Sequence, residues 1–268
     1  MNQTREETCR PTTTQSYWDD SWKLVEVPDP VDPSNDAPEN RLQRALHVQY
    51  KRALGERCEP GARLIEIGCG GSRWLPYFRR TFGYEISGID YSVAGLRLSQ
   101  RILEKANLSG TLVQGDLFEP PDEMIERFDV VTSFGVIEHF DRTARAVEAC
   151  ARYLRPGGIM ITEVPTMRGL YGLMYRLLWP SVYRVHVPQS AKSMAKAHAA
   201  AGLHVTHCSY VLGLPAVLTR PSKDTSVLRR LAFALSSGFS WLERRGLSVP
   251  PNILTSPYVL CIATKPGR

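Results

Sequence analysis

The chain has no pair of cysteines close enough to clasp a metal. Its six cysteines stand at positions 9, 58, 69, 150, 208 and 261, no two closer than 11 residues. That spacing excludes zinc-ribbon and CxxC redox motifs, and it leaves a reduced, cytoplasmic protein as the simplest reading. There is no long apolar run either. The longest uncharged stretch, 197–219, contains His198, His204, His207 and Pro215, residues that argue against a membrane-spanning helix. Residues 1–14 carry Arg5, Glu6, Glu7 and Arg10 around no apolar centre, so a secretory leader is not expected. Internal repeats and low-complexity tracts are missing. An excess of one charge sign is slight: 33 Lys and Arg against 27 Asp and Glu give +6, a balance that suits a polyanionic partner and an ordinary enzyme alike.

What remains is a globular composition, 43% hydrophobic and 22% charged over 268 residues, enough for one large domain or two small ones. Residues 1–16 read as a flexible tail. Tyr17, Trp18 and Trp22 follow, the two tryptophans four apart on one helical face, a spacing that serves core packing or a lid. Pro28, Pro30, Pro33 and Pro38 interrupt regular structure, and the division expected is 1–38 as tail and aromatic segment, then 39–268 as one domain. An amphipathic helix is expected over 39–56, with Leu42, Ala45, Leu46, Tyr50, Ala53 and Leu54 at helical spacing and Pro60-Gly61 ending it.

Beyond Gly61, apolar runs of strand length alternate with helical periodicity, the pattern of a parallel sheet with crossover helices. Strands are expected at 63–67, 84–90, 111–114, 129–134, 158–163, 204–211 and 258–264, and helices at 74–81, 93–106, 142–153 and 190–201. Two stretches fit no strand–helix unit. The first, 165–189, is rich in Leu, Tyr and Arg, and it is placed to cap a site beyond the carboxyl ends of the strands. The second, 212–257, contains an amphipathic run over 226–245 with Arg229, Arg230, Arg244 and Arg245. That run suits a solvated face over a buried one, a dimer contact or a peripheral lipid surface.

The sharpest signal is Leu64-Ile65-Glu66-Ile67-Gly68-Cys69-Gly70-Gly71-Ser72, a strand running into a glycine cluster. Glycine permits positive φ and close approach of backbone to a ligand; an ordinary tight turn is the plain alternative. The dinucleotide spacing GxGxxG fails, because Arg73 stands where its third glycine belongs. The second strand ends in Gly88-Ile89-Asp90, the third leads to Gly115-Asp116-Leu117, and the fourth to Phe134-Gly135-Val136-Ile137-Glu138-His139-Phe140. A carboxylate such as Asp90 can accept both hydroxyl protons of a ribose, or cap the helix that follows it. Asp116 can accept from an exocyclic amine, with Leu117 packed on the ring.

Together with Leu154-Arg155-Pro156-Gly157-Gly158, these residues resemble class I S-adenosylmethionine-dependent methyltransferases over roughly 61–164 and the last two strands. The resemblance implies an α/β fold, a Rossmann-like seven-stranded, mostly parallel sheet with the last strand antiparallel and helices on both faces. It implies S-adenosyl-L-methionine as cofactor, leaving S-adenosyl-L-homocysteine as product. Glu66, Gly68 and Gly70 would take the methionine and ribose, Asp90 the ribose diol, and Asp116 and Leu117 the adenine. Cys69, Tyr91 and Phe134 complete the expected cofactor set. Ser72 departs from the third alternate glycine that many members carry.

Methyl transfer to a hydroxyl needs alignment and removal of a proton. His139, beside Glu138, is one candidate base and His186 in the cap another; either can instead be a packed, structural histidine. A metal held by Glu138, His139 and Asp141 is considered, but none is expected. His198, His204 and His207 read as structural. The expected function is a cytoplasmic O-methyltransferase, monomer or homodimer, acting on a small or medium-sized, partly apolar acceptor such as a natural-product, sugar or lipid-linked hydroxyl. The alternatives are C- or N-methylation, a nucleic-acid methyltransferase, a nicotinamide-dependent oxidoreductase, and a cofactor-binding protein without turnover. Nucleic acid is disfavoured because Ser133-Phe134-Gly135-Val136 replaces the Asn/Asp-Pro-Pro-aromatic run of base-amine methyltransferases.

Overall fold

Period-2 alternation decides which way each strand residue faces. In β1 (Arg63–Ile67), Leu64 packs into one core layer and Ile65 and Ile67 into the other; in β4 (Phe128–Phe134), Val130 and Val131 divide in the same way. Strands apolar on both faces must be covered on both, so they lie at the centre of a sheet sandwiched by helices. The computed structural model describes residues 9–37, 40–55, 59, 61–214, 226–247 and 249–267, without the side chains of Arg229, Ala232, Ser236, Ser240, Glu243 and Arg244.

The sheet adds β2 (Glu85–Asp90), β3 (Thr111–Gln114), β5 (Leu154–Pro165), β6 (His204–Val211) and β7 (Tyr258–Thr264) in the order β3-β2-β1-β4-β5-β7-β6. The pairs among β1 to β5 are parallel, and β7 runs antiparallel between β5 and β6. This is the seven-stranded Rossmann-like sheet expected. On one face α2 (Arg41–Leu54) and α3 (Trp74–Phe82) bury Leu46, Tyr50, Leu54 and Phe78; on the other α5 (Thr143–Ala151) and α8 (Ala191–Ala200) bury Val147, Cys150 and Met194. Each fully buried side chain of this size stabilises the fold by about 1.5–3 kcal/mol.

Strand and helix positions follow the sequence reading to within a few residues, apart from β5. Expected over 158–163, it runs from Leu154, because an irregularity between Phe128 and Val130 lets Leu154 pair with Phe128. The 165–189 insertion folds as α6 (Gly169–Leu178) and α7 (Pro180–Arg184). In the second insertion α9 spans Val227–Arg244, and residues 215–225 lie outside the described residues. So do residues 1–8 of the expected tail, both ends of the expected 39–56 helix, and Cys58. The other five cysteines are free thiols.

The flexible tail is corrected from residue 9 onward. Pro11 forms an antiparallel bridge with Phe140, Thr12 N donates to His139 O at 2.7 Å, and Arg10 N to Asp141 Oδ1 at 2.8 Å. Backbone pairing holds this segment, and main-chain groups leave no mark in side-chain periodicity. Thr14 then caps α1 (Gln15–Lys23). Asp19 Oδ1 ties α1 to the start of α4 (Val93–Lys105), accepting from Ser92 Oγ at 2.7 Å and Ala94 N at 3.2 Å.

Candidate active site

At the carboxyl end of β1 the chain must turn sharply into α3. Gly68 sits at φ +74°, and a Cβ there would lie 2.3 Å from Val136 Cγ2. Gly71 is also left-handed, at φ +64°, so the turn demands residues without side chains. Ser72 is no defect in this loop. Its hydroxyl donates to Glu66 Oε2 at 2.6 Å and accepts from Trp74 N and Leu75 N at 3.2 and 3.1 Å, holding the acid and starting α3 together.

A cavity of about 300 Å³ opens above this turn, lined among others by Glu66, Gly68, Gly70, Asp90, Tyr91, Leu117 and Phe134. Burial pushes the Glu66 carboxyl up to about 8, against the pull of the Ser72 hydrogen bond. Asp90 is also raised by burial, although Oδ2 accepts from Gly70 N and Oδ1 from Ser92 N, both at 2.7 Å. The cap of α4 is Ser92, not Asp90: Ser92 Oγ accepts from Gly95 N. Each oxygen of Asp90 keeps a lone pair for a ligand.

Two expected cofactor residues stand elsewhere. Cys69 is fully buried in the core, its Sγ turned toward Gly88, where a Cβ would meet it at 2.5 Å. The left-handed turn at Gly68 breaks the alternation of β1 and sends this side chain into the core layer opposite to that of Ile65 and Ile67, away from the cavity that its glycine neighbours line. Asp116 is exposed and off the wall, its Oδ1 accepting from Phe118 N at 2.9 Å; Gly115 and Leu117 line the cavity on either side of it.

The wall also holds side chains that the glycine motif did not reveal: Thr13, Trp18, Trp22, Gln43, Trp74, Val136 and Phe140. Trp22 lies on the glycine turn, its Nε1 2.9 Å from where a Gly70 Cβ would be. Glu163 is a further buried acid, with its pKa raised to about 8 by burial and Oε1 without a hydrogen-bond partner among the described residues. Its signal was an acidic residue inside the apolar run of β5.

Glu138, His139 and His186 meet. His139 lines the cavity, its ring edge-on to Trp18 at 5.1 Å and 4.4 Å from the ring of His186. His139 Nδ1 is 2.8 Å from Val185 O, and His186 Nδ1 is 2.7 Å from Val182 O. A carbonyl only accepts, so both Nδ1 atoms carry hydrogen and both Nε2 atoms are bare lone pairs in the neutral rings, a tautomer assigned from these bonds. Glu138 Oε1 lies 3.9 Å from one Nε2 and 4.0 Å from the other. The Glu138 carboxyl is fully buried with neither oxygen hydrogen-bonded among the described residues, and burial drives its pKa well up. Burial, then the neighbouring His186, lower His139 to about 4. His139 is therefore a neutral base at physiological pH.

The three ligand atoms lie within 4.8 Å of one another, so the group can hold a metal ion. Zinc–ligand bonds of about 2.1 Å need ligand atoms about 3.4 Å apart, slightly closer than these. Asp141, the third ligand weighed from sequence, accepts from Arg10 instead. His198 is structural, its Nε2 bonded to Thr162 and its Nδ1 to Met194 O, both at 2.8 Å.

Residues 39–208 match the profile of a methyltransferase domain family. The chain belongs to that family. The family is one of class I S-adenosylmethionine-dependent methyltransferases. Curated relatives of this methyltransferase include ubiquinone biosynthesis O-methyltransferases. The protein from Alkalilimnicola ehrlichii is 36% identical over 101 residues, covering 38% of this chain and 40% of the relative. That from Nitrobacter winogradskyi is 30% identical over 151 residues, covering 54% of each. The chain thus spans about half the length of the curated relatives it matches, or less. Geranyl diphosphate C-methyltransferase from Streptomyces coelicolor A3(2) shares the fold with a TM-score of 0.60 at 15% identity, over 94% of this chain and 98% of that one. Phosphoethanolamine N-methyltransferase 2 from Haemonchus contortus, solved with S-adenosyl-L-methionine, gives 0.57 at 16% identity, over 94% and 57%.

The cofactor fits the residues present. It carries an ammonium and a sulfonium, and the cavity offers two buried carboxyls, Glu66 and Asp90, beside a turn that a Cβ would fill. Placement beside a cation would lower both carboxyl pKa values back toward the ionised form.

Proposed function

We propose that this methyltransferase methylates a hydroxyl of a small or medium-sized, partly apolar acceptor, with His139 removing the proton. The observation that carries the reading is a neutral imidazole, locked by Val185 O into the tautomer with a free Nε2, on the wall of a cavity shared with Trp74, Phe134, Val136 and Phe140. The O-methyltransferase names of the relatives support the same acceptor atom. Bound S-adenosylmethionine supplies the electrophilic methyl group. Glu66 and the Gly68–Gly70 turn would hold its methionine end, Asp90 the ribose hydroxyls, and Tyr91, Leu117 and Phe134 its apolar surroundings. Asp116, next to the cavity-lining Gly115 and Leu117, would accept from the adenine amine with the lone pairs that its bond to Phe118 N leaves over.

In this reading the aromatic wall excludes water and orients the acceptor, and orientation supplies much of the rate. His139 Nε2 takes the hydroxyl proton as the oxygen–methyl bond forms, and Glu138, about 4 Å away, passes its own proton to His186 Nε2 and as the carboxylate stabilises the imidazolium. His186 would keep the cluster in place and serve as the next station for the proton. We place the enzyme in the cytoplasm, as monomer or homodimer, with C- or N-methylation and a nucleic-acid acceptor as the rival chemistries.

The test is incubation with methyl-labelled S-adenosylmethionine and cell extract, followed by fractionation. Label on an alkali-stable ether in the organic or small-molecule fraction supports the proposal. Label on carbon or nitrogen removes the base from the mechanism, and label confined to RNA or protein overturns the acceptor class.

A further inference from the structure

The two insertions share a property that methyl transfer does not need. Among the described residues sixteen large hydrophobic side chains are exposed, and twelve of them fall within 165–189 and 212–257. In α6, Leu173 and Leu177 are 52% and 70% exposed; in α9, Leu228, Leu231 and Leu235 are 64%, 55% and 62% exposed. The α9 leucines recur at helical spacing, so they form one stripe. An amphipathic helix ordinarily turns such a stripe inward, and here it faces outward. The cap and the segment after α9 form a continuous surface, since Leu170 N donates to Leu254 O at 2.7 Å.

The same two stretches of sequence are also basic. The two insertions contain nine Arg and Lys against two acidic residues, a net +7, whereas the whole chain is +6. Everything outside them is therefore net −1. A groove of about 600 Å³ opens on this surface between α6 and the 253–254 segment, lined by Arg168, Arg176, Tyr183, Leu173 and Leu254 among others. Arg245 stacks over Trp241 at 4.1 Å, keeping a cation beside an indole.

We propose that this surface docks on an anionic lipid bilayer, the leucine stripe and Trp241 entering the headgroup boundary and the arginines meeting lipid phosphates. Exposed aliphatic residues interleaved with arginine suit that boundary. A second copy of the chain is disfavoured as occupant, because two +7 faces repel. Nucleic acid is disfavoured because the exposed side chains are mainly leucines, which give bases nothing to stack on. The surface is launched from the end of β5, and Val185 and Val187 of the same insertion bond to His139 and Glu138. Docking thus brings the acceptor side of the site to the bilayer, which refines the acceptor class in the functional reading to one that dwells in lipid. Vesicle binding needs no turnover, so the two readings fail separately.

The test is flotation of the full-length protein with phosphatidylcholine vesicles, alone or with about 30% phosphatidylglycerol. The expected result is flotation with the anionic vesicles, reduced at high salt and weak with the neutral ones. Leu231→Asp/Leu235→Asp and, separately, Leu173→Asp/Leu177→Asp should each lower the partition coefficient about ten-fold or more, with calorimetric binding of S-adenosylhomocysteine retained as proof of folding. Absence of flotation with anionic vesicles at low salt overturns the proposal. So does flotation untouched by both leucine variants, and so does a leucine-dependent dimer in light scattering with no affinity for vesicles.

Discussion

The rings of His139 and His186 stand 4.4 Å apart, and each donates its Nδ1–H to a main-chain carbonyl, of Val185 and Val182 respectively. Two bare Nε2 atoms therefore converge on the one carboxyl of Glu138.

His139→Ala is expected to lower kcat by about 10²–10⁴-fold, the usual contribution of a general base, while the dissociation constant for S-adenosylhomocysteine stays nearly unchanged. Single-turnover rates beside calorimetric titration separate the two. Loss of affinity equal to the loss of rate would make His139 part of the cofactor wall alone.

The pH profile should report the same residue. His139 sits near 4, below the ordinary histidine value, because burial opposes its charged form. The base stays unprotonated down to about pH 5, so with the cofactor saturating the acid limb of log kcat/KM for the acceptor should fall below pH 5 and not near 6.5. A limb near 6.5 would point to another base.

Glu66 makes cofactor binding a proton-linked event. With its carboxyl near 8 before the cofactor arrives, it holds a proton at pH 7 and gives it up beside the cation. Calorimetry in buffers of different ionisation enthalpy should register about one proton released, and Glu66→Gln should abolish that release. For the unliganded protein the sign follows from the same shift. Between the unfolded value near 4.5 and the folded value near 8 the native state keeps a proton that the unfolded chain loses, so Glu66 lowers stability as pH rises through that window. Thermal unfolding of Glu66→Gln should show a flatter slope from pH 5 to 8 than the parent.

Chelation tests the charge at Glu138. If the cluster works with protons alone, dialysis against a chelator leaves turnover within about two-fold of the starting rate. A loss restored by a divalent cation would make Glu138, His139 and His186 its ligands.

Gly68→Ala should destabilise the enzyme by about 1–3 kcal/mol, because it combines a left-handed φ with a Cβ 2.3 Å from Val136 Cγ2. Trp22→Ala, by contrast, should leave Tm nearly intact and weaken cofactor affinity about ten-fold. Thermal unfolding and titration of both variants distinguish folding from binding.

Much of this architecture was legible in the sequence because its signals are local. Alternation in Leu64–Ile67 and Val130–Val131 and glycines at a strand's end each act over a few residues. The site's remoter half was not legible. Thr12 and Val185 are 173 positions apart yet bonded, side-chain hydroxyl to carbonyl, and nothing in either neighbourhood announces it. Cys69 shows a different limit, since motif position placed it in the cofactor loop while the left-handed turn at Gly68 sent its sulfur into the core. The outward stripe of α9 defeats periodicity in a third way: spacing reveals that a helix has an apolar face but not which way it points.

Thr12 Oγ1 lies 3.0 Å from His139 O and 2.6 Å from Val185 O, and that junction orders events during synthesis. The threonine leaves the ribosome early, but its second partner is translated 173 residues later, a delay on the order of ten seconds or more at ordinary elongation rates. His139 therefore acquires its tautomer late, when the segment bearing Val185 emerges and folds back, and a nascent chain that already holds the cofactor turn still lacks the base of the proposed mechanism.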